Sequence, residues 1–247
     1  MKIKFLGTNG WYDSNMGNTI CILIETPRFY LVLDAGNGIA KLDQHILDDR
    51  PVYLFISHFH LDHIVGIHTL TKNKFSHGLY FLVGQNQGEI LMNFMKQPFT
   101  LPYKALPFET KIIELPTELD DFAPLIKVKE MKHSTFTLGI RIEEENRSIV
   151  YLGDTGYCEN AVLLSENADV LIAECANLPG EFYEEWPHLN PETAAALAKE
   201  AGVKKLVLSH FDANRYPDKQ SRDKALKIAQ KVFPDTLLSY DEMDLSI

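Results

Sequence analysis

Three histidines and one aspartate fall within six residues of one short segment. Residues 57–63 read Ser-His-Phe-His-Leu-Asp-His and directly follow an apolar run at residues 52–56. That run has the length and composition of a buried strand, and a proline precedes it. The metal-binding side chains of the segment are those of His58, His60, Asp62 and His63. Imidazole suits zinc and its neighbours, and a carboxylate adds a harder oxygen donor. The sequence therefore predicts a metal site on a loop that leaves a strand.

The composition is that of an ordinary globular protein. The chain has 247 residues, of which 45% are hydrophobic and 23% charged. An α/β chain of this length is often a single unit, so we expect one domain over residues 1–247. The net charge of −10 argues against a broad basic surface for long nucleic acid. A bound divalent metal or a local basic patch could still offset this charge for a small phosphate substrate.

The cysteines and the apolar runs indicate the compartment. Cys21, Cys158 and Cys175 are odd in number and widely spaced, without a Cys-x-x-Cys pair. A disulfide framework is therefore not expected, and the cysteines favour a reducing cytoplasm. We expect no signal peptide and no membrane span, because the first apolar segment is short and the longest apolar runs have only the length of strands.

Hydrophobic patterning predicts strands first, then strands alternating with helices. The predicted strands lie at residues 2–6, 19–25, 29–33, 52–56, 79–83, 111–114, 125–131, 136–143, 147–152, 170–173, 204–208 and 236–238. The first predicted helix opens at the Asp-Gly turn of residues 34–38 and continues to about residue 47. A second helix is predicted to begin near residue 62. Further helices are predicted over residues 88–96, 160–165, 191–201 and 218–232. The order predicts sheets that are covered by helices.

Residues 97–108 interrupt this pattern. Three prolines alternate with Phe99, Leu101, Tyr103, Leu106 and Phe108, so the segment cannot form a regular element. We expect it to cover the core, with a substrate wall or a subunit contact in a homodimer as the alternatives.

Two short similarities suggest that the chain is duplicated. Residues 53–60 resemble residues 205–212, and a strand ending in aspartate and glycine precedes each copy, at residues 31–36 and 150–156. Coincidence is the alternative. A real duplication would divide the chain into halves at about residues 1–115 and 116–247, and the strand-end loops of both halves would meet in one cleft.

Further metal-binding side chains follow other predicted strands. His133 follows the strand that ends near residue 131, Asp154 the strand that ends at residue 152, and His210 the strand that ends at residue 208. Each lies where a rigid strand passes into a loop, as His58 does. A lone histidine at such a position is usually an ordinary polar residue. Beside a loop that already carries four candidate ligands, we expect these three residues to bind metal.

The order of these motifs resembles the metallo-β-lactamase superfamily over nearly the whole chain, and within it the ribonuclease Z and phosphodiesterase-like branch. The motifs are the Asp-Gly turn at residues 34–38, His-x-His-x-Asp-His, His133 before a Gly-Ile-Arg-Ile strand, Gly-Asp-Thr at residues 153–155 and Ser-His at residues 209–210. The resemblance implies a four-layer αββα sandwich with two mixed sheets and two divalent metal ions. Zinc is the first expectation, and manganese and iron also fit.

The resemblance also implies a role for each residue of the site. His58, His60 and His133 would bind the first metal, Asp62, His63 and His210 the second, and Asp154 would bridge them. Within that branch, Glu174 and His188 match a glutamate and a histidine that act on the leaving group. His188 would donate a proton or contact phosphate, and Glu174 would orient it. Asp62, His188 and Glu174 are thus the expected catalytic residues.

One feature of the branch is missing. Ribonuclease Z proteins typically insert a long arm that grips tRNA between the third metal-binding histidine and Gly-Asp-Thr. Here His133 and Asp154 are separated by two predicted strands and a turn, so no such arm fits. Processing of tRNA 3′ ends is therefore not the expected activity, and the ligand pattern also argues against β-lactam hydrolysis.

These observations predict a dinuclear hydrolase that acts on a small or nucleotide-like phosphodiester. A hydroxide shared by two ions would attack phosphorus, and His188 would protonate the departing oxygen. Thr155 and Ser134 could contact the phosphate, while Asp34 is expected to anchor ligand histidines. A carboxylic ester, thioester or lactone hydrolase is the first alternative. A metal-binding or partner-binding module without turnover is the second, but a structural site would need only four ligands.

Overall fold

Two β-sheets form the centre of the molecule. The computed structural model describes residues 1–116 and 125–247. The first sheet has seven strands in the order β15-β1-β3-β4-β5-β6-β7, and the second has six in the order β14-β12-β11-β10-β9-β8. The strands of the first sheet are β1 Lys2–Gly7, β3 Cys21–Glu25, β4 Tyr30–Leu33, β5 Val52–Phe55, β6 Leu79–Gly84, β7 Thr110–Leu115 and β15 Asp244–Ser246.

The second sheet is built from the later part of the chain. Its strands are β8 Leu125–Glu130, β9 Leu138–Glu144, β10 Arg147–Tyr151, β11 Val170–Glu174, β12 Leu206–Ser209 and β14 Thr236–Leu238. Both sheets are mixed: β4 to β7 are parallel neighbours in the first sheet, as are β10, β11, β12 and β14 in the second. A separate pair joins β2 Asn9–Gly10 to β13 Phe211–Asp212.

Helices cover the outer face of each sheet. The α-helices are α1 Leu61–Ile64, α2 Gly88–Phe94, α3 Glu159–Ser165, α4 Pro191–Glu200 and α5 Lys219–Val232. Within residues 1–116 and 125–247, three 3₁₀-helices lie at Asn37–Gln44, Val65–Lys72 and Tyr103–Ala105. Helix α4 begins at an Asn190–Thr193 capping box with a proline in its first turn, as its sequence predicts.

Three apolar layers hold this arrangement together. The inner faces of the two sheets pack on each other, with Phe5 and Phe55 of the first sheet and Ile140 and Ile172 of the second in one buried cluster. A second cluster lies between the second sheet and α3, α4 and α5, and a third lies between the first sheet and its helices. The molecule is therefore an α/β sandwich of two mixed sheets flanked by helices, as predicted.

Most predicted elements are found within two residues of their expected bounds, and the exceptions have local causes. The helix predicted to run to about residue 47 is a 3₁₀-helix at Asn37–Gln44. The helix from about residue 62 is a single α-turn that continues as the 3₁₀-helix Val65–Lys72. Three short strands, β2, β13 and β15, were not predicted, because two or three residues carry no periodicity. The duplication stays a prediction.

The proline-rich segment at residues 97–108 covers the core in part. Leu106 is buried, and Tyr103 and Phe108 pack on the cluster beneath the first sheet. Phe99 and Leu101 are exposed. None of these residues lines the cavity described below, so the segment is not a wall of that cavity. The homodimer stays a prediction. In the described ranges no helix is long and apolar enough to cross a bilayer.

Candidate metal centre

Seven of the predicted site residues converge at one end of the two sheets. The structure brings their ligand atoms together in two groups, each within 4.8 Å across. The first group contains His58, His60, His133 and Asp154, and the second contains Asp62, His63 and His210. The strand ends explain this convergence: His58 follows β5 of the first sheet, and Asp154 and His210 follow β10 and β12 of the second.

In the first group, the imidazole nitrogens face one another across a short gap. His58 Nε2 lies 2.9 Å from His60 Nδ1, and His133 Nε2 lies 3.2 Å from the same atom. Nitrogens that share one tetrahedral zinc lie roughly 3.3 Å apart, given Zn–N distances near 2.0–2.1 Å. The spacing of these three nitrogens therefore fits a common metal ion.

The second group is equally close. His63 Nε2 lies 3.0 Å from His210 Nε2, and Asp62 Oδ2 lies 3.2 Å from His210 Nε2. The imidazole of His210 is packed against Gly10, where an added Cβ would lie 2.4 Å from its Cε1 atom. Asp62 Oδ2 also accepts a 2.7 Å hydrogen bond from the backbone N–H of Trp11. Gly10 of β2 and the adjacent Trp11 thus hold the side chains of His210 and Asp62 in place.

Asp154 lies between the two groups and turns one oxygen to each. Its Oδ2 atom is 3.9 Å from Nε2 of both His58 and His133. Its Oδ1 atom is 3.3 Å from Nε2 of both His63 and His210. Oδ1 is buried and accepts no hydrogen bond within the described part of the chain. A carboxylate in this position can bridge two ions.

Asp34 supports the centre from beneath. Its Oδ2 atom accepts hydrogen bonds from His63 Nδ1 at 2.8 Å, from Ser57 Oγ at 2.8 Å and from the Tyr151 hydroxyl at 2.6 Å. Ser57 Oγ lies 3.0 Å from His58 Nδ1. These bonds turn the Nε2 atoms of His58 and His63 towards the centre, an arrangement in which Asp34 would orient both imidazoles for a metal.

The charges of the site fit bound cations. The carboxylates of Asp34, Asp62 and Asp154 are buried, and among the described residues their close ion-pair partners are imidazoles. Burial lowers the pKa of His133 to about 4 and holds the pKa of His58 well below its ordinary value. Neutral imidazoles are the form that binds metal. Because buried carboxylates need opposite charge, two divalent ions would satisfy this donor set.

His188 and Glu174 form a pair beside the first group. Nδ1 of His188 lies 2.6 Å from Glu174 Oε1, and the backbone N–H groups of Thr155 and Ala176 hold the two carboxylate oxygens at 3.0 Å each. Burial disfavours the charged imidazole, but the Glu174 carboxylate outweighs it and raises the pKa of His188 to about 9. His188 Nδ1 lies 4.0 Å from Asp154 Oδ2. The pair thus places an imidazole whose Nδ1 is held by a carboxylate next to the centre.

A cavity of about 390 Å³ opens onto both groups. His60, Asp62, Asp154, His188 and His210, all named as site residues from the sequence, reach it. The lining residues that were not predicted are Gly10, Trp11, Ala176, Asn177, Tyr183, Trp186, Asp212, Asn214 and Arg215. No motif marks these positions, and only the aromatic rings and Arg215 have a residue type that could have indicated them.

The two hydroxyl groups suggested as phosphate contacts differ. The Thr155 side chain is fully buried and donates to the Gly156 carbonyl, so it is not available to a substrate. The fold therefore contradicts the expectation for Thr155. Ser134 Oγ is on the exposed side, 3.5 Å from His133 Nε2, and its contact with phosphate stays a prediction.

Comparison with known sequences finds a matching family model and full-length relatives. The family model described as "Beta-lactamase superfamily domain" matches residues 30–211. Ribonuclease Z of Methanosarcina acetivorans is 28% identical and aligns with 100% of this chain and 98% of its own length. The alignment runs over 310 positions, so at least 63 of them (310 less 247) are gaps in this chain.

Solved structures show the same fold. The metallo-β-lactamase fold protein YhfI from Bacillus subtilis has a TM-score of 0.80 and 27% identity, with 99% of this chain and 98% of that chain covered. Human tRNase Z, short form, has a TM-score of 0.76 and 23% identity, with 100% and 99% covered. The similarity therefore extends over full chains.

Proposed function

The chain belongs to the metallo-β-lactamase superfamily and is a metal-dependent hydrolase of that fold, and from this premise we propose that it hydrolyses a small or nucleotide-like phosphodiester at a dinuclear centre. The observation that carries the proposal is the division of the donor atoms into two groups on either side of Asp154. A structural metal site would need only four ligands and no open side. Here seven donors come together, and His60, Asp62, Asp154 and His210 among them line a cavity.

Each residue of the centre has a distinct task in this proposal. His58, His60 and His133 would hold one ion, Asp62, His63 and His210 would hold the other, and Asp154 would serve both. Bound divalent ions supply a Lewis acid that activates water and neutralises the anionic oxygens of the substrate. Zinc is proposed first because imidazole dominates the donor set, and manganese and iron also accept it.

His188 is proposed as the general acid. Its Nδ1 atom is engaged with Glu174, so Nε2 is the nitrogen left to donate a proton to the leaving oxygen. Glu174 keeps that proton on the imidazole at neutral pH, since it raises the pKa of His188 to about 9. General acid catalysis typically contributes about 10²–10⁴-fold to a rate. An alkoxide leaving group needs such a donor far more than an aryloxide does.

The shape of the molecule favours a small substrate. The cavity of about 390 Å³ is near the lower end of the usual range for ligand pockets, roughly 300–1,000 Å³. Between His133 and Asp154, the hairpin β9–β10 turns through two residues and leaves no room for a long arm. Together with the net charge of −10, these features support a short substrate over tRNA.

The main alternative is a carboxylic ester, thioester or lactone hydrolase with the same centre. The His188–Glu174 pair weighs against the thioester, whose thiolate leaves without protonation, but an alkyl ester or a lactone releases an alkoxide that the pair would also protonate. The substrate comparison below therefore decides between a phosphodiester and these esters. A partner-binding module without turnover is the third reading, and the cavity at the donor groups weighs against it.

A substrate comparison tests the proposal. The purified protein, with its metal content measured per chain, is assayed with a bis-aryl phosphodiester, an aryl carboxylic ester and a lactone. We expect two metals per chain and turnover of the phosphodiester. Turnover of the esters alone would overturn the proposal, and two bound metals without any turnover would favour the binding module. Asp154→Ala serves as the control for contaminating hydrolases, because its activity should be lost with its metal.

A further inference from the structure

Both tryptophans of the chain lie at the mouth of the cavity. The chain contains two tryptophans, Trp11 and Trp186, and both line the cavity that opens onto the donor groups. Their ring centroids are 6.3 Å apart in an edge-to-face arrangement. Trp11 is 58% exposed and Trp186 is 43% exposed. Indole is large and is usually well buried, so two exposed rings in contact at an active-site cavity indicate a surface that binds something.

The backbone of Trp11 gives independent support. Its φ angle is +75°, in the left-handed region that bulky side chains rarely adopt. Its N–H donates to Asp62 Oδ2, a bond that any residue type could make. Glycine or asparagine would therefore suit the turn better than tryptophan. Strained positions of this kind concentrate at functional sites, so a tryptophan at this position indicates a function for its indole ring.

Trp186 connects this surface to the reacting centre. Its ring stacks on the His60 imidazole at 5.3 Å, with an interplanar angle of 17°. It also lies 5.8 Å from His133 and 6.3 Å from His188, measured between ring centroids. A group that contacts Trp186 is therefore next to the proposed proton donor, on the side where the leaving group departs.

We propose that Trp11 and Trp186 form a subsite for a planar ring of the nucleobase kind, carried by the leaving alcohol of the substrate. This inference rests on the proposed phosphodiesterase function and specifies its substrate class. Hydrolysis adds water across the phosphorus–oxygen bond to that alcohol. The oxygen of water bonds to phosphorus and releases one proton to solvent, while the bond to the alcohol breaks. His188 Nε2 gives a proton to the departing oxygen and regains one from solvent. The products are a nucleoside-like alcohol and a phosphomonoester.

A planar ring that stacks on the two tryptophans fits this site better than an apolar chain does. Every nucleobase presents a flat π-face, and base–aromatic stacking does not require hydrogen bonds from the protein. Much of the remaining lining is polar: Asn214 contributes an amide, and Arg215 lies over the Tyr183 ring at 5.2 Å and pairs with Glu181 and Asp212. A polar lining around two indoles fits a ring with polar edges, as a nucleobase has.

Tryptophan fluorescence gives a direct test of binding, because every tryptophan of the chain lies at the site. The metal-loaded protein is titrated with adenosine 5′-monophosphate and, separately, with ribose 5-phosphate. We expect saturable quenching by the nucleotide only. In Trp186→Leu and Trp11→Leu, the remaining tryptophan should report a Kd for the nucleotide raised roughly 5- to 100-fold. Tyr240→Leu, which removes an exposed aromatic ring outside the cavity lining, should leave the Kd unchanged.

Equal quenching by both ligands, or a Kd unchanged in both tryptophan variants, would overturn the subsite. A kinetic comparison separates this failure from failure of the function. The methyl phosphodiesters of adenosine and ribose, each esterified at the 5′-oxygen, differ only in the base. The wild type should release adenosine and methyl phosphate, with a kcat/KM about 5- to 100-fold above that for the ribose ester, and both tryptophan variants should lose this preference.

Each remaining outcome points to one of the two proposals. Hydrolysis of both esters at equal kcat/KM would overturn the subsite and support the phosphodiesterase. Quenching that depends on the tryptophans, without hydrolysis of either ester or of an aryl phosphodiester, would overturn the proposed function and support a nucleotide-binding site.

Discussion

The Tyr151 hydroxyl donates a 2.6 Å hydrogen bond to Asp34 Oδ2 and so joins the two sheets beneath the metal centre. Tyr151 is the last residue of β10 in the second sheet, and Asp34 directly follows β4 in the first. Both side chains are buried. Since Asp34 also holds His63 at 2.8 Å, the bond ties the position of a proposed metal ligand to the packing of one sheet on the other.

Replacing Tyr151 with phenylalanine tests this connection. The variant leaves a buried carboxylate with one donor fewer, and a hydrogen bond to a charged group typically contributes about 1.5–3 kcal/mol. We expect the free energy of unfolding of the metal-free protein to fall by that amount, measured by urea denaturation. Tyr240→Phe, at an exposed tyrosine, is the matched control and should change nothing. An unchanged stability for Tyr151→Phe would show that the bond does not hold the sheets.

Removal of Asp154 should disrupt both ions. Its two oxygens face different donor groups, so Asp154→Ala takes one ligand from each. We expect the metal content, measured by mass spectrometry after dialysis, to fall from two ions per chain to one or fewer. His188→Ala should keep two ions, because His188 belongs to neither of the two donor groups. Full occupancy of both ions in Asp154→Ala would contradict the bridging role.

The pH dependence of turnover tests the His188–Glu174 pair. His188 must be protonated to donate, so activity on an alkyl phosphodiester should fall as pH rises through its pKa. Glu174 raises that pKa to about 9, and bound cations act in the opposite direction. Glu174→Gln should therefore move the alkaline limb of the kcat profile to lower pH. An alkaline limb at the same pH in both proteins would exclude this assignment.

Gly10 tests the support of the second donor group. An added Cβ would lie within 2.4–2.8 Å of three atoms of the His210 ring, so Gly10→Ala must displace that imidazole. We expect weaker binding of the second ion, by about 10- to 100-fold as for other changes in the surroundings of a metal ligand. Competition with a chromogenic chelator measures this loss. Binding of both ions with the affinities of the wild type would contradict the placement of His210.

Much of the centre could be predicted because its residues follow strands. His58 and His210 lie directly after apolar runs, and the carboxyl ends of neighbouring parallel strands meet at one edge of a sheet. Once the sheets are paired, the loops that carry these residues must converge. The helical covering was also predictable, since α4 and α5 begin with capping residues and carry an apolar face.

The remaining features depend on tertiary contacts that leave no local pattern. The strand pair β2–β13 joins Asn9 to Phe211 across 202 positions of sequence, and two residues have no periodicity to detect. Trp186 lies in an irregular loop, so only the fold shows that it stacks on His60. Thr155 follows the proposed ligand Asp154 and therefore suggests a phosphate contact, but its hydroxyl donates to the Gly156 carbonyl.

The most direct measurement of the central claim is a metal titration of phosphodiester turnover. The protein is stripped with a chelator, zinc is added in steps, and hydrolysis of a bis-aryl phosphodiester is followed together with bound metal. A dinuclear phosphodiesterase predicts little activity up to one equivalent and a rise to a plateau at two equivalents per chain. Full activity at one equivalent, or no phosphodiester hydrolysis with two zinc, manganese or iron ions bound, would contradict it.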